Sequence, residues 1–293
     1  MAVLSHIPEP KRFLLQQLIA QLSPLPGMAA IALGGSYAGD TQHAASDLDI
    51  GLYYHEAEPF EVAAIRHVAD SVSVQGPVAV TDFYGWGAWV NGGAWIHTAQ
   101  GKVDFIYRNL EQIERTIAEA QQGIVHHDYD QQPAYGFYSA IYLAEVQICI
   151  PLYDPEGYLA GLKRQVATYP PRLKRTVIAD ALWSAEFTLI HARGFAAQGD
   201  VYNTAGCLTR VASNLTQALF ALNEHYFIRD KGAMETLATF ALLPAGHVEQ
   251  VTRILAAPGS TADALNESVQ TMEQVWRRVV ALPGVGYEPQ FHL

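Results

Sequence analysis

Two carboxylates separated by one residue, Asp47 and Asp49, stand at the start of an apolar stretch. A glycine pair ends the previous apolar stretch of the chain. Residues 28–33 are apolar and lead into Gly34-Gly35-Ser36, whereas residues 48–54 form a second apolar stretch preceded by Asp47. Both stretches have the length of a buried strand. Residues two apart on a strand share a face, so Asp47 and Asp49 are expected to repel each other there. The pattern predicts either a solvated strand edge or a carboxylate pair that binds a hard cation such as Mg²⁺.

The glycine turn suits a phosphate group, and its sequence excludes three other motifs. Glycine lets backbone N–H groups and the Ser36 hydroxyl approach a phosphate closely. A P-loop requires Lys and then Ser or Thr after its second glycine, whereas Asp40-Thr41 follows Gly39. A nucleophile elbow requires glycine where Ala38 stands. A dinucleotide-binding turn would open a long helix rather than a polar loop. A phosphate site beside an acidic pair indicates phosphoryl or nucleotidyl transfer.

This segment resembles the DNA polymerase beta-like nucleotidyltransferase superfamily. That superfamily has a strand, a Gly-Gly/Ser turn, a spacer and then Asp-x-Asp on the next strand, and Gly35, Ser36, Asp47 and Asp49 match those positions. It adds a third carboxylate on a nearby strand, and Asp104 fits that place inside the strand-like residues 102–107. The resemblance covers residues 28–107. The alternative interpretation of Asp104 is an isolated acidic residue at a strand edge.

The resemblance implies nucleotidyl transfer with two metal ions. Asp47, Asp49 and Asp104 would be the catalytic residues and would hold two Mg²⁺ ions, while Gly35 and Ser36 would bind the phosphates of a nucleoside triphosphate. The acceptor hydroxyl would attack the α-phosphorus and pyrophosphate would leave. Asp104 would accept the hydroxyl proton or help to hold the second metal. The expected reaction transfers a nucleoside monophosphate, AMP from ATP, to a hydroxyl of a small molecule.

The pattern of the chain changes near residue 128. Before it, helices are predicted at residues 11–22, 59–73 and 109–121, and strands at 28–33, 48–54, 78–84, 94–98 and 102–107. After it, helices are predicted at about 137–148, 156–168, 172–197, 203–227, 233–242, 246–256 and 261–281, with breaks that include Pro151. The predicted fold class is α+β. Residues 1–128 would form a nucleotidyltransferase domain with a small mixed sheet flanked by helices, and residues 129–293 a helical-bundle, substrate-binding domain.

A helical domain after a compact catalytic domain is similar to the architecture of the antibiotic nucleotidyltransferases that act on aminoglycosides and lincosamides. In the superfamily, basic and amide groups of the helical domain often reach the triphosphate, which implies nucleotide binding by Asn214 and Lys231. Asn214 lies between Arg210 and Gln217 on one stripe of a predicted helix. The alternative interpretation is a solvated polar stripe.

Two other functions are alternatives to small-molecule transfer. One is nucleotidylation of a protein side chain, as in the toxin-neutralising modules of the superfamily, although those modules are usually much shorter. The other is a nucleotide-binding regulator that has lost catalysis. The complete set of Asp47, Asp49 and Asp104 argues against the second alternative, because a decayed site commonly loses a carboxylate first.

The charge balance excludes one class of partner. Lys and Arg number 18 against 29 Asp and Glu, so the net charge is −11. A general nucleic-acid binder needs basic surface, and none is expected here; a small cationic acceptor such as an antibiotic is compatible with the acidic balance. No apolar stretch approaches the roughly 20 residues of a membrane span, and the N-terminus lacks a signal-peptide pattern. A cytoplasmic protein with Cys149 and Cys207 reduced is expected.

Two further segments have two interpretations each, and one pair of helical residues also attracts attention. Residues 84–95 are rich in tryptophan and glycine and predict either a lid over a base or acceptor, or a loop that packs on the helical region. Residues 126–130, beginning with His126-His127, predict a polar linker, with metal binding as the alternative. His191 and Arg193 lie on a predicted helix as surface or interface groups.

Overall fold

The computed structural model describes residues 4–43 and 46–292. The chain forms two compact units. The sheet unit comprises Met1–Ala118 and His127–Thr168, and the helical unit comprises Glu119–His126 and Tyr169–Leu293. The domain boundary predicted at residue 128 stays a prediction.

Strands and helices alternate through the first part of the chain. The elements are α1 Glu9–Leu22, β1 Ala30–Leu33, α2 Gly35–Ala38, β2 Leu48–Tyr54, α3 Val62–Val72, β3 Gly93–Thr98, β4 Gly101–Asn109, α4 Leu110–Gln121, β5 His127–Asp128, β6 Phe137–Tyr138, α5 Ile141–Ile148, β7 Ile150–Tyr153 and α6 Tyr158–Gln165. Helices then follow one another as α7 Pro171–Ala197, α8 Val201–Leu222, α9 Ala233–Leu237, α10 His247–Ala256 and α11 Ala262–Val280. The α+β fold class predicted from the sequence is confirmed.

Within the described residues, the sheet unit holds a five-stranded mixed sheet in the order β3-β4-β2-β1-β7. Strands β2 and β4 are parallel, and the other neighbouring pairs are antiparallel. This order places β2, which contains Asp49 and directly follows Asp47, at the centre of the sheet and next to β4. The predicted small mixed sheet flanked by helices is therefore confirmed.

Helix α1 covers the sheet through leucines spaced by one turn. Leu14, Leu18 and Leu22 are buried in the same hydrophobic core as the strand residues. Phe13, the residue before the first of these leucines, is 60% exposed. The buried face follows the four-residue spacing of the leucines, and Phe13 lies beside that stripe rather than on it.

The strand predicted at residues 78–84 is wrong. Only Val80 pairs in this segment, through a single bridge to Ala94. Side chains of α3 satisfy the backbone instead: Asp70 accepts from the Val78 N–H at 2.7 Å, and Arg66 donates to the Val78 and Val80 carbonyl oxygens. Because side chains fill the backbone hydrogen-bonding positions, no continuous ladder forms here.

Strand β7 was missed because it contains Pro151, which was interpreted as a break between two predicted helices. The strand pairs antiparallel with β1 at the edge of the sheet. An edge position tolerates proline, because only one side of the strand needs N–H donors for the ladder. The predicted helix at 137–148 correspondingly shortens to Ile141–Ile148.

The helical unit is built around α7 and α8, and its long helices were predicted within a few residues. Its C-terminal tail is fixed by Glu186, a fully buried carboxylate that accepts from the N–H groups of Gln290 and Phe291 and from the hydroxyl of Tyr287. Arg193 forms a two-pronged ion pair with Glu273. No helix in the described part of the chain combines the length and the apolar character that crossing a membrane requires.

Candidate active site

The sheet brings two of the predicted carboxylates into register. Asp49 of β2 lies directly beside Asp104 of the parallel strand β4, where strands are separated by about 4.8 Å. Paired residues of neighbouring strands place their side chains on the same face. Both residues are partly buried. Asp47 immediately precedes β2 and lies two residues before Asp49, so the alternation of an extended chain directs both side chains to the same face. The three carboxylates, here called the acidic row, therefore share one face.

The glycine turn lies against the acidic row. The Gly34 N–H donates to the carbonyl oxygen of Asp49 at 2.8 Å. Gly35 follows with φ +59°, and a Cβ on it would lie 1.7 Å from Oδ2 of Asp49. Any side chain at position 35 would occupy the space of that carboxylate. Glycine is thus required both by the left-handed backbone and by the close approach to Asp49.

Ser36 stands in the first turn of the four-residue helix α2, one residue beyond this contact. Gly35 and Ser36 are both partly exposed. The first N–H groups of a helix have no partner within the helix, so the turn directs donors outward next to the acidic row. The structure therefore brings Gly35, Ser36, Asp49 and Asp104 together, with Asp47 beside them.

Lys11 was missed as a residue of this region. Its side chain is buried, and its Nζ donates to the carbonyl oxygen of Ser46, the residue before Asp47. The same Nζ lies 5.3 Å from the ring centroid of Tyr37 in α2. Lys11 thus contacts both segments of the motif, the glycine turn and the start of β2. The signal in the sequence was a lysine among the apolar positions of an amphipathic helix.

Burial and the like charges of the acidic row both act on Asp104. Burial first, and then the negative charges of Asp49 and Asp47, raise the pKa of Asp104 to about 6, while Lys102 opposes this rise. The proximity of three carboxylates is therefore unfavourable without a compensating cation. The same charges are what a cation bound at this face would neutralise.

The donor chemistry of the acidic row suits Mg²⁺, which prefers carboxylate oxygen. As the side chains stand, no group of three or more His, Cys, Asp or Glu residues among residues 4–43 and 46–292 is gathered tightly enough to hold a metal ion. The acidic row thus fits Mg²⁺ by ligand type and by charge, and its carboxylates would have to turn toward the ion to bind it.

The two remaining predicted site residues belong to the helical unit. Asn214 of α8 is partly buried, and its amide donates to the Ser184 hydroxyl of α7 at 3.0 Å. Lys231 is exposed in the segment between α8 and α9. Of the other residues on the predicted stripe, Arg210 is exposed and Gln217 is buried. Nucleotide binding by Asn214 and Lys231 stays a prediction.

The tryptophan-rich residues 84–95 are anchored within the sheet unit. The Trp86 N–H donates to the Asn91 carbonyl at 2.7 Å, and Gln131 bonds to both the Trp86 carbonyl and the Trp89 N–H. Trp89 stacks on Phe137 with 5.7 Å between ring centroids. The loop is therefore fixed by its own hydrogen bonds and by residues later in the same unit.

The segment at residues 126–130 is occupied by protein contacts. His127 and Asp128 form β5, which pairs with β6, and the His127 ring stacks on Tyr138 at 4.1 Å. The His127 Nε2 bonds to the Tyr135 carbonyl oxygen, and the His126 Nε2 to the Glu119 carboxylate. These contacts support the structural interpretation of both histidines over the metal-binding one.

Comparison with known proteins gives matches of limited reach, including a family model and a solved structure. Residues 139–231 match the model of a domain of unknown function (DUF4037). A crystal structure of a nucleotidyltransferase-like protein from Exiguobacterium sibiricum 255-15 matches with a TM-score of 0.46 at 10% identity, over 92% of this chain and 74% of that one. No curated protein matches the chain. A likeness at this identity and TM-score assigns no activity to the chain.

Proposed function

We propose that the protein is a Mg²⁺-dependent nucleotidyltransferase that moves a nucleoside monophosphate, AMP from ATP, to a hydroxyl of a small molecule. The observation that carries the proposal is the register of Asp49 with Asp104 beside the Gly35 turn. A metal–triphosphate complex carries negative phosphate oxygens and a positive metal ion. A carboxylate row next to backbone N–H donors offers a partner for each of them. The donors suit phosphate oxygens, and the carboxylates suit the metal that accompanies them.

The Gly35-Ser36 turn would bind the β- and γ-phosphates. Its glycines allow the backbone to approach closely, and the Ser36 hydroxyl adds a donor next to the helix N–H groups. The bond from the Gly34 N–H to the Asp49 carbonyl fixes the turn relative to β2. Lys11 holds the entry to β2 through the Ser46 carbonyl. These contacts position the phosphates before reaction, which is where much of the rate gain in such transfers arises.

Asp47, Asp49 and Asp104 would hold the metal. When bound there, Mg²⁺ supplies charge neutralisation for the phosphates and lowers the pKa of the acceptor hydroxyl. Burial and then repulsion from Asp49 and Asp47 raise the pKa of Asp104 in the metal-free protein, and a cation held by this row would offset that repulsion. Removing one carboxylate therefore weakens metal binding and relieves repulsion at the same time.

Asp104 would accept the proton of the acceptor hydroxyl. The acceptor oxygen forms a bond to the α-phosphorus, the bond from that phosphorus to the bridging oxygen breaks, and pyrophosphate leaves with the electron pair. Asn214 and Lys231 remain our candidates for additional triphosphate contacts, and a cationic antibiotic remains a candidate acceptor.

The proposal is tested by Asp49→Asn, which keeps the shape of the side chain and removes its charge. We expect transfer of label from α-labelled ATP to small molecules of a cell extract, dependent on Mg²⁺ and lost in the variant. The control is Asp263→Asn, an exposed aspartate in the first turn of α11. Equal transfer by the Asp49→Asn variant, the control and the parent would overturn the proposal.

A further inference from the structure

Two tryptophans form a stacked pair beside the acidic row. Trp86 of the anchored loop and Trp95 of β3 stack with 4.9 Å between ring centroids and 20° between ring planes. Trp95 is nevertheless 67% exposed. Exposing so large an apolar ring has a hydrophobic cost that a bound partner would relieve. The pair, here called the tryptophan pair, is part of neither the core nor the phosphate site.

The register of the sheet places this pair next to the proposed base. Trp95 lies directly opposite Asp104 on β4, and Asp104 lies beside Asp49 on β2. The three side chains therefore follow one another across the same face of three adjacent strands. A molecule that rests on Trp95 has its edge at Asp104.

The position of Trp86 is built into the backbone. Both its N–H and its carbonyl are hydrogen-bonded, to Asn91 and Gln131. Gly93, two residues before Trp95 on β3, leaves room for the Trp86 ring, since a Cβ there would lie 3.1 Å from a Trp86 ring carbon. Trp86 thus lies close to Gly93 while it stacks on Trp95. A further ring would stack on the surface of Trp95 that remains exposed.

The direction of the reaction decides which substrate lies there. In an in-line displacement, the attacking and leaving oxygens stand on opposite sides of the phosphorus. The leaving pyrophosphate would lie at the Gly35-Ser36 turn, which follows β1, whereas Trp95 lies on β3, beyond β4 on the other side of the acidic row. The attacking oxygen therefore approaches from the side of Trp95. The tryptophan pair is placed for the acceptor and not for the departing phosphates.

We propose that the tryptophan pair is the acceptor subsite, and that it takes a ring-bearing alcohol whose ring face stacks on Trp95 while its hydroxyl reaches Asp104. The proposal rests on the proposed function for the identity of the reaction. It concerns one contact of the acceptor, and the substrate-binding role predicted for residues 129–293 stays a prediction. An anionic alcohol is disfavoured at this subsite because the acidic row would repel it.

The direct test is binding without nucleotide. Saturation-transfer NMR with methyl glucopyranoside, phenylethanol and the open-chain alcohol sorbitol compares the parent, Trp95→Ala, Trp86→Ala and Trp183→Ala. Trp183 is a matched control, because it is 41% exposed and stacks on Phe187 at 5.2 Å in the helical unit. We expect binding of at least one of the two ring alcohols but not of sorbitol, weakened about tenfold by Trp95→Ala and unchanged by Trp183→Ala.

Several results would overturn the subsite: no binding by either ring alcohol, sorbitol binding as well as they do, or equal binding by Trp95→Ala and the parent. A second measurement, calorimetry with Mg²⁺ and ATP, is expected to give the same affinity for Trp95→Ala and the parent. Loss of ATP affinity in Trp95→Ala would assign the tryptophan pair to the nucleotide base and also overturn it. If the parent fails to bind ATP, the proposed function fails, and the ring-binding measurement still decides the subsite.

Discussion

At position 35 the backbone and a neighbouring carboxylate together require glycine. Gly35→Ala would adopt φ +59° at a cost of about 1–2 kcal/mol and would place its methyl group 1.7 Å from Oδ2 of Asp49. Asp49 must then move. A displacement of about 1 Å lowers activity by about 100-fold. We expect this loss of transfer, measured at saturating ATP, together with a lower melting temperature.

The control for position 35 is Gly206→Ala. Gly206 lies in α8 with open space where a Cβ would be added, so alanine should stabilise the helix by about 1 kcal/mol and leave activity unchanged. A Gly35→Ala variant with parental activity would show that the turn does not set the position of Asp49.

Asp104 makes stability depend on pH in the metal-free protein. Its pKa is raised from 3.8 to about 6, first by burial and then by Asp49 and Asp47. The folded state therefore holds this proton more tightly than the unfolded state does. The stability that the folded state has with a neutral Asp104 carboxyl is fully present below about pH 4. It is lost as the pH rises through the folded-state pKa of about 6.

Asp104→Asn is neutral at every pH and should escape this loss. With chelator present, we expect the variant to melt at a higher temperature than the parent at pH 7, and the difference to shrink as the pH falls toward 4. Melting curves across that range provide the measurement. A difference that stays constant with pH would mean that Asp104 does not titrate as described. Improved stability with lost activity is common at sites that hold like charges.

An ion pair between a buried arginine and a partly exposed glutamate joins β4 to α5. Arg108 is 5% exposed and donates to both carboxylate oxygens of Glu145 at 2.8 Å. Glu145→Ala leaves that guanidinium buried without its partner, which should lower the free energy of unfolding by about 3–5 kcal/mol. Denaturant unfolding measures the change.

Two comparisons check this prediction. Lys174→Ala removes a more exposed pair with Glu224 and should cost less than about 1 kcal/mol. The double variant Arg108→Met with Glu145→Leu should recover most of the loss, because no buried charge remains unpaired. A single variant as stable as the parent would refute the structural role of the pair.

The helices and strands that could be predicted from the sequence are those whose spacing of apolar residues follows directly from which side chains are buried. Strand β2 was predicted with its observed bounds, and the long helices α7, α8 and α11 to within a few residues, because apolar periodicity determines them. The segment at residues 78–84 has the same apolar character. It lacks a ladder because Asp70 and Arg66 of the preceding helix α3 bind its backbone. Such side-chain bonds leave no periodic signal in the segment itself.

Some residues of the candidate site could likewise be predicted from the sequence, and others could not. The local motif, Gly35 to Asp49, could be identified from spacing, and the position of Asp104 from a single polar residue in an apolar strand. The tryptophan pair and Lys11 could not be placed, since their roles depend on strand order and register. The order β3-β4-β2 aligns Trp95 with Asp104, and register is set by the packing of the whole sheet.

The whole molecule has a mixed sheet that carries the acidic row and, in its other unit, the helix in which Asn214 lies and the segment in which Lys231 lies. The net charge of −11 argues against a polyanionic acceptor such as a nucleic acid. In the proposed subsite, the tryptophan pair would give the acceptor an apolar surface next to the reacting hydroxyl. Together these features favour a small, uncharged or cationic alcohol as acceptor.

In the proposed reaction, the α-phosphoryl group moves with its nucleoside and pyrophosphate leaves. The most direct measurement incubates the full chain and Mg²⁺ with ATP labelled at the α- or the γ-phosphorus, together with the small-molecule fraction of a cell extract. We predict that α-label appears in a new adduct, that γ-label appears in pyrophosphate, and that chelation of Mg²⁺ stops both. Transfer of γ-label to an acceptor, release of inorganic phosphate alone, or the absence of any Mg²⁺-dependent product with every nucleoside triphosphate would contradict the proposal.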